Sequence, residues 1–251
     1  MTSDSLSVNV DSSIKSEFST DEGHKTIHET KHFPSNIQKA IAEVVSTYIL
    51  IFAGCGAALV NEKFPLTIVG IAIVSGLALT VATYSIGYVF VPIYVLCQMM
   101  GATLVSYPLT LKVLHHDKVD VGVTVTKYLS STSHLEAIVW EFITAYILML
   151  TICGVATDHR GSKDLTGVAI GISVLINVII AGPITGASMN PARSLGPAIV
   201  SGDYKNIWVY IVSPILGAVS ASTLYKFLEV TQPVKPKSCD CNICSHNHLP
   251  L

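Results

Sequence analysis

Charge is what this chain has least of. Only 13% of its 251 residues are Asp, Glu, Lys or Arg, about half the ~25% usual in soluble domains. Between Phe64 and Leu111 there is no Asp, Glu, Lys, Arg or His, a run of 48 residues. A bilayer-spanning helix needs about 20 mostly apolar residues, so that run holds about two of them. There is no excess of positive charge either, and a net charge of −2 gives no reason to expect a nucleic acid partner. A Gly-x-Ser-x-Gly, a P-loop and a metal-binding helix motif are all missing. The Ser, His and Asp residues that do occur, such as His115, His116 and Asp117, read as exposed loop. These absences exclude an enzyme.

What is present is hydrophobic, 50% of the chain. Beyond the two spans inside Phe64–Leu111, further windows lie at Ile37–Val60, Leu135–Ala156, Leu165–Ala181 and Asn206–Leu228, which makes six. The expected fold class is an all-α integral membrane protein with six transmembrane helices. Six spans alone would suit a receptor, but the loops are too short to add a ligand domain. The first 36 residues are rich in Ser, Thr, Asp, Glu and His and read as a disordered tail. No h-region occurs there, so insertion is expected to rely on the first span. With the amino terminus in the cytosol, that side carries nine Lys and Arg against five opposite, which favours both termini inside. The expected organisation is a cytosolic tail over 1–36, a membrane domain over 37–230 and a cytosolic tail over 231–251.

The chain repeats itself. In the first span Glu43, Tyr48, Ile49, Leu50, Cys55 and Gly56 match Glu141, Tyr146, Ile147, Leu148, Cys153 and Gly154 of the fourth at a constant offset of 98. Leu66-Thr67 and Leu165-Thr166 stand 99 apart, as do Gly87 and Gly186, whereas Gly101-Ala102 and Gly217-Ala218 stand 116 apart. The first repeat is thus 17 residues shorter between its second and third spans. Three crossings per repeat invert the second relative to the first, and such folds place binding or conduction sites between the halves near the midplane.

The shortfall lies where the second repeat carries "ITGASMNPARSLGPAIV" (184–200). At the matching place the first reads "GYVFVPIYV". Irregular backbone at membrane depth is tolerated only where protein or water satisfies its polar groups. The segment therefore suits a loop that dips in and starts a short helix running to about Val200. Pro191 fits the first helical turn. Asn190 caps that helix or points its amide into a cavity. The positive helix end would face the membrane centre and, with Arg193 beside it, repel cations and protons. The fold class is accordingly sharpened to an inverted 3+3 repeat with one re-entrant half-helix retained and the other missing.

On these residues the chain resembles the aquaporin (major intrinsic protein) family, whose two pore loops read like "GHISGAHFNPAV" and "GASMNPARSLGPA"; only the second is present here. "CGVATD" (153–158), "AGPITGASMNPARSLGPAIV" (181–200) and "KNIWVYIVSPILGA" (205–218) look most like the plant nodulin-26-like branch. The resemblance covers about Ile37 to Val230. It implies a homo- or hetero-tetramer in the lipid bilayer with one pore per subunit, passing water and small neutral solutes, and no cofactor. Asn190, Pro191 and Ala192 become the pore motif. The four filter positions fall on Ser75, Val178, Ala187 and Arg193. Ser75 stands where similar members often carry Trp, Ala or Gly, and it points towards glycerol, urea or metalloid hydroxy-acids. For Ser75 and Val178, ordinary contact between helices is the alternative.

Glu43 and Glu141 are carboxylates inside spans. One reading is a proton relay. The other is structural, each accepting backbone N–H bonds from a dipping loop. Cys55, Cys97 and Cys153 read as small packing residues. The tail residues Cys239, Cys241, Cys244, His246 and His248 are dense enough to hold zinc or copper, but their spacing is not a usual ligand pattern. S-palmitoylation and a plain tail are the other readings. Two functional hypotheses follow. The chain is a channel, impaired by loss of one half-loop. Alternatively it is a non-conducting or regulatory subunit among intact relatives, or a non-functional splice or gene-model product.

Overall fold

Seven α-helices account for most of the computed structural model, which describes residues 35–86, 91–110, 121–157 and 163–228. They are α1 (Asn36–Lys63), α2 (Thr67–Ile86), α3 (Val91–Thr110), α4 (His134–Ile152), α5 (Thr166–Thr185), α6 (Pro191–Ser201) and α7 (Ile207–Leu228). No strand occurs among the described residues. Five helices there are long and apolar enough to cross a membrane: α1, α2, α4 with its continuation to Thr157, α5 and α7. The described apolar part of α3, Val95–Ser106, is shorter, within a helix of 20 residues. Among the described residues, a short helix like α6 occurs only in the second half.

Chain ends of the helices are set by ordinary capping chemistry. Ser35 caps α1, its hydroxyl accepting from the Gln38 N–H while the Gln38 side chain accepts from the Ser35 N–H. Ser133 caps α4 through the Glu136 N–H. The fourth span ends in a π turn over Cys153–Thr157. The fifth continues past Gly182 and Pro183 to Thr185, four residues beyond the Ala181 expected from hydropathy.

The two halves are built alike. Helix α1 packs on α2 and α3, α4 packs on α5 and α7, and α2 meets α5 across the middle. The crossings repeat residue for residue. A Cβ on Gly101 would stand 2.5 Å from the Val44 carbonyl oxygen and 3.2 Å from the Tyr48 nitrogen. One on Gly217 would stand 2.3 Å from the Phe142 carbonyl oxygen and 3.1 Å from the Tyr146 nitrogen. Val44 and Tyr48 stand 98 residues before Phe142 and Tyr146, and Gly101 stands 116 before Gly217, the offsets already visible in the sequence. Small residues let backbones approach where no hydrophobic force separates helix from lipid. At the α2–α5 seam, Gly76 and Gly171 each face the other's carbonyl oxygen, at 2.6 and 2.5 Å from the position of a Cβ.

Lipid-facing positions follow the pattern of a membrane bundle. Large apolar side chains such as Leu77, Val81, Ile172, Ile176, Ile215 and Leu216 are exposed on the outer surface, while small and polar ones such as Ala72, Ala102, Ala181, Thr144 and Asn177 are fully buried.

Candidate functional site

The segment between α5 and α6 runs on irregular backbone. Gly186 ends α5 in the left-handed region (φ 85°), which a residue without Cβ adopts freely. Ala187 (φ 44°) and Met189 (φ 56°) take similar conformations with a Cβ. Such conformations persist only where surroundings over-determine them, and they cluster at functional sites.

The surroundings here are a carboxylate. Glu141 of α4 is fully buried. Its Oε1 accepts from the Thr185 hydroxyl at 2.7 Å and the Ser188 N–H at 3.0 Å, and its Oε2 from the Met189 N–H at 3.0 Å. A buried carboxyl group that accepts from three donors fixes the backbone that carries them. Thr185 Oγ1 also accepts from the Ala187 N–H at 3.3 Å, and the Tyr210 hydroxyl of α7 donates to the Thr185 carbonyl at 2.9 Å. Asn177 donates through Nδ2 to the Thr144 carbonyl at 2.9 Å and to Met189 Sδ at 3.2 Å. Its Oδ1 is buried without a hydrogen-bond partner among the described residues.

Helix α6 starts inside this frame. Asn190 is its N-cap, with Oδ1 accepting from the Ala192 N–H at 2.9 Å and Pro191 in the first turn. The side chain is half-buried, and its Nδ2 makes no hydrogen bond among the described residues, leaving two N–H donors. Arg193, also half-buried, donates to the hydroxyl of Thr126. Ser194 donates to that same oxygen at 2.9 Å, and its own hydroxyl lies 2.6 Å from Ser188 Oγ. Thr126 belongs to an extended strap that precedes α4. The strap is held by the Leu129 N–H on the Ile184 carbonyl at 3.0 Å, by Tyr128 on His134 and by the Lys127–Asp203 ion pair at 2.8 Å. The Lys127 ammonium, donating to the Asp203 carboxylate, holds that group below its ordinary value of 3.8. Beside the strap opens a cavity of about 560 Å³, lined by Lys127, Tyr128, His134 and Lys205 among others.

Of the four positions that the resemblance assigns to a filter, Val178 and Ala187 lie in one buried cluster with Ala72. Ser75 is three residues along α2 from Ala72, half-buried, its hydroxyl donating to the Ile71 carbonyl of its own helix at 2.8 Å. Arg193 stands on the first turn of α6. Glu43, the counterpart of Glu141, is buried and accepts from Gln98 Nε2 of α3 at 2.9 Å. Cys55, Cys97 and Cys153 are buried free thiols. The cluster Cys239, Cys241, Cys244, His246 and His248 lies outside the described residues, as does Gly87.

Sequence reading missed Thr126, Thr185, Tyr210 and Asn177. Asn177 carried a signal, being an amide within "ISVLINVII" (172–180), where an intramembrane polar group asks for a partner. The hydroxyls carried none.

Comparison with known proteins follows the same lines. The family model "Major intrinsic protein" matches residues 29–90 and 86–225, two segments that meet just after α2. Nodulin-26 of Glycine max is 43% identical over 227 residues, covering 80% of this chain and 81% of its own. Aquaporin NIP1-2 of Arabidopsis thaliana is 45% identical over 224 residues, covering 78% and 75%. Among solved structures, the aquaglyceroporin from Plasmodium falciparum superposes with a TM-score of 0.67 at 23% identity, covering 76% of this chain and 96% of that one, a likeness of fold.

Proposed function

The chain belongs to the major intrinsic protein family, and from that premise we propose that it is a transmembrane channel for water and small neutral solutes whose conduction is impaired by loss of the first Asn-Pro-Ala segment. Members of this family are channels rather than enzymes. The observation that carries the reading is the pairing of Asn190 and Arg193 on one half-helix start. Both side chains are half-buried, both have donors to spare, and Glu141 fixes the loop that presents them.

In this reading Asn190, Pro191 and Ala192 are the pore motif. The Asn190 amide offers hydrogen bonds to a solute shedding its water, and the positive helix end with Arg193 repels cations. Ser75, Val178, Ala187 and Arg193 form the constriction. A serine in place of a bulky aromatic widens it and adds a hydroxyl, which favours glycerol, urea or a metalloid hydroxy-acid such as boric acid. Glu43 and Glu141 are structural carboxylates. Both termini face the cytosol, residues 37–230 make the channel domain, and the subunits assemble as tetramers.

Stopped-flow swelling of proteoliposomes with water, glycerol and boric acid tests the reading. The chain is compared with one carrying a restored "SGAHFNPAV"-like segment after Gly87. Measurable flux that rises on restoration is the expected result. No flux until restoration would instead make the natural chain a non-conducting subunit. No flux from either form would overturn the channel reading.

A further inference from the structure

The two repeats differ at one face. On α3, Ala102 and Ser106 are buried, at 0% and 2% exposure, and α6 packs on that helix. A Cβ on Gly196 would stand 2.6 Å from Ala102 Cβ and 2.8 Å from its carbonyl oxygen. Their counterparts on α7, 116 residues later, are Ala218 and Ser222. These same residue types are only half-buried, and they line a groove of about 250 Å³ with Met149, Val219, Thr223 and Lys226.

Three properties of the groove define what fits it. Its walls are apolar over Met149, Ala218 and Val219, and Val219 and Leu216 beside it are exposed at 58% and 51%. At ~30 Å³ for a water-sized group, its volume takes about eight such groups, the scale of a stretch of hydrocarbon chain rather than a single solvent molecule. At one end stands Lys226, two residues before the end of α7, with no ion-pair partner among the described residues. A lysine at a span's end places its ammonium at headgroup level. Helix α7 lies in the bilayer, and the leaflet on a cytosolic side is rich in anionic lipid.

We propose that this face of α7 binds one anionic phospholipid, with an acyl chain in the groove along Ala218 and Val219 and its phosphate on Lys226. The inference rests on the reading that the first repeat has no half-helix to cover α7. The hydroxyls of Ser222 and Thr223 lie between chain and headgroup. The lipid takes over the role that α6 plays on α3, filling the surface that would otherwise lose its packing partners.

The full-length chain, purified from membranes of equimolar phosphatidylglycerol and phosphatidylcholine, tests this by native mass spectrometry. Retention of one phosphatidylglycerol in preference to phosphatidylcholine is expected. Lys226→Gln should lower that retention about fivefold, and Lys226→Arg should keep it. Ala218→Phe, which fills the groove and leaves the charge, should also lose the lipid, with thermal unfolding as the check that both variants fold. Insertion of the half-helix segment after Gly87 should displace it. Equal retention of the two lipids would overturn the proposal. So would insensitivity to Ala218→Phe, or persistence of the lipid in the restored chain. Solute flux plays no part in this readout, so a chain that never conducts would sink the channel reading and leave the lipid result standing.

Discussion

The first and second halves of this protein share a framework and differ in what is mounted on it. Gly101 of α3 against α1 and Gly217 of α7 against α4 make the same crossing against equivalent backbone atoms. Yet α3 is covered by a half-helix while the equivalent face of α7 opens on a groove. The carboxylates diverge in step. Glu141 accepts from Thr185, Ser188 and Met189 of the dipping loop, whereas Glu43 accepts from Gln98 of α3. The position matching Gln98 on α7 is Pro214, which offers no such donor. The lesson is that the scaffold of a repeat bundle is held by small residues at helix crossings. The irregular loop before α6 is then clamped by one buried acceptor, Glu141.

Substitutions at matched positions show how far the two halves are equivalent. The largest effects belong to the shared framework. Gly101→Leu and Gly217→Leu each force a side chain into a carbonyl at 2.5 and 2.3 Å, where neither backbone can yield. Both should abolish folded protein in size-exclusion profiles of detergent extracts, and to the same degree. Survival of one but not the other would refute the equivalence of the crossings.

Next come the carboxylates. Glu141→Ala strands two buried N–H groups and a hydroxyl, costing about 3 kcal/mol or more. Glu43→Ala, which takes the acceptor from the Gln98 amide, should cost less. Thermal unfolding in detergent ranks the two, and equal losses would mean that Glu43 holds an equivalent load.

The smallest effect is expected outside the membrane. Asp203 is held below its ordinary value by hydrogen bonding to Lys127, so its contribution is complete above pH 3.8 and fades as pH falls through the lowered value. The group is solvent-exposed, and such a pair is worth little. Lys127→Ala should leave the unfolding temperature at pH 7 nearly unchanged, and the small difference from the natural chain should vanish in acid.

Much of this architecture was legible in the residues. Hydropathy places the spans, because lipid permits so few charges, and the constant offset of 98 between Glu43 and Glu141 reflects a real superposition of helix crossings. The start of α6 could be read because Pro191 and an Asn cap have only one good place on a helix. What escaped reading was long-range hydrogen bonding. Thr126 meets Arg193 across 67 residues, and Tyr210 reaches Thr185 across 25; a lone hydroxyl in a span bears no periodic mark. The apolar window stops at Ala181, while α5 runs on through Gly182 and Pro183 to Thr185; a proline inside a helix is tolerated in a membrane bundle.

Whether the seat that α6 fills on α3 stays open on α7 is decided by a matched pair of substitutions. Ala102→Leu and Ala218→Leu add the same atoms at equivalent positions, and their thermal unfolding is measured side by side. Overpacking against α6 should make Ala102→Leu cost about 1–3 kcal/mol, while Ala218→Leu, extending into the open groove, should cost close to nothing. Equal costs at the two positions would contradict the account.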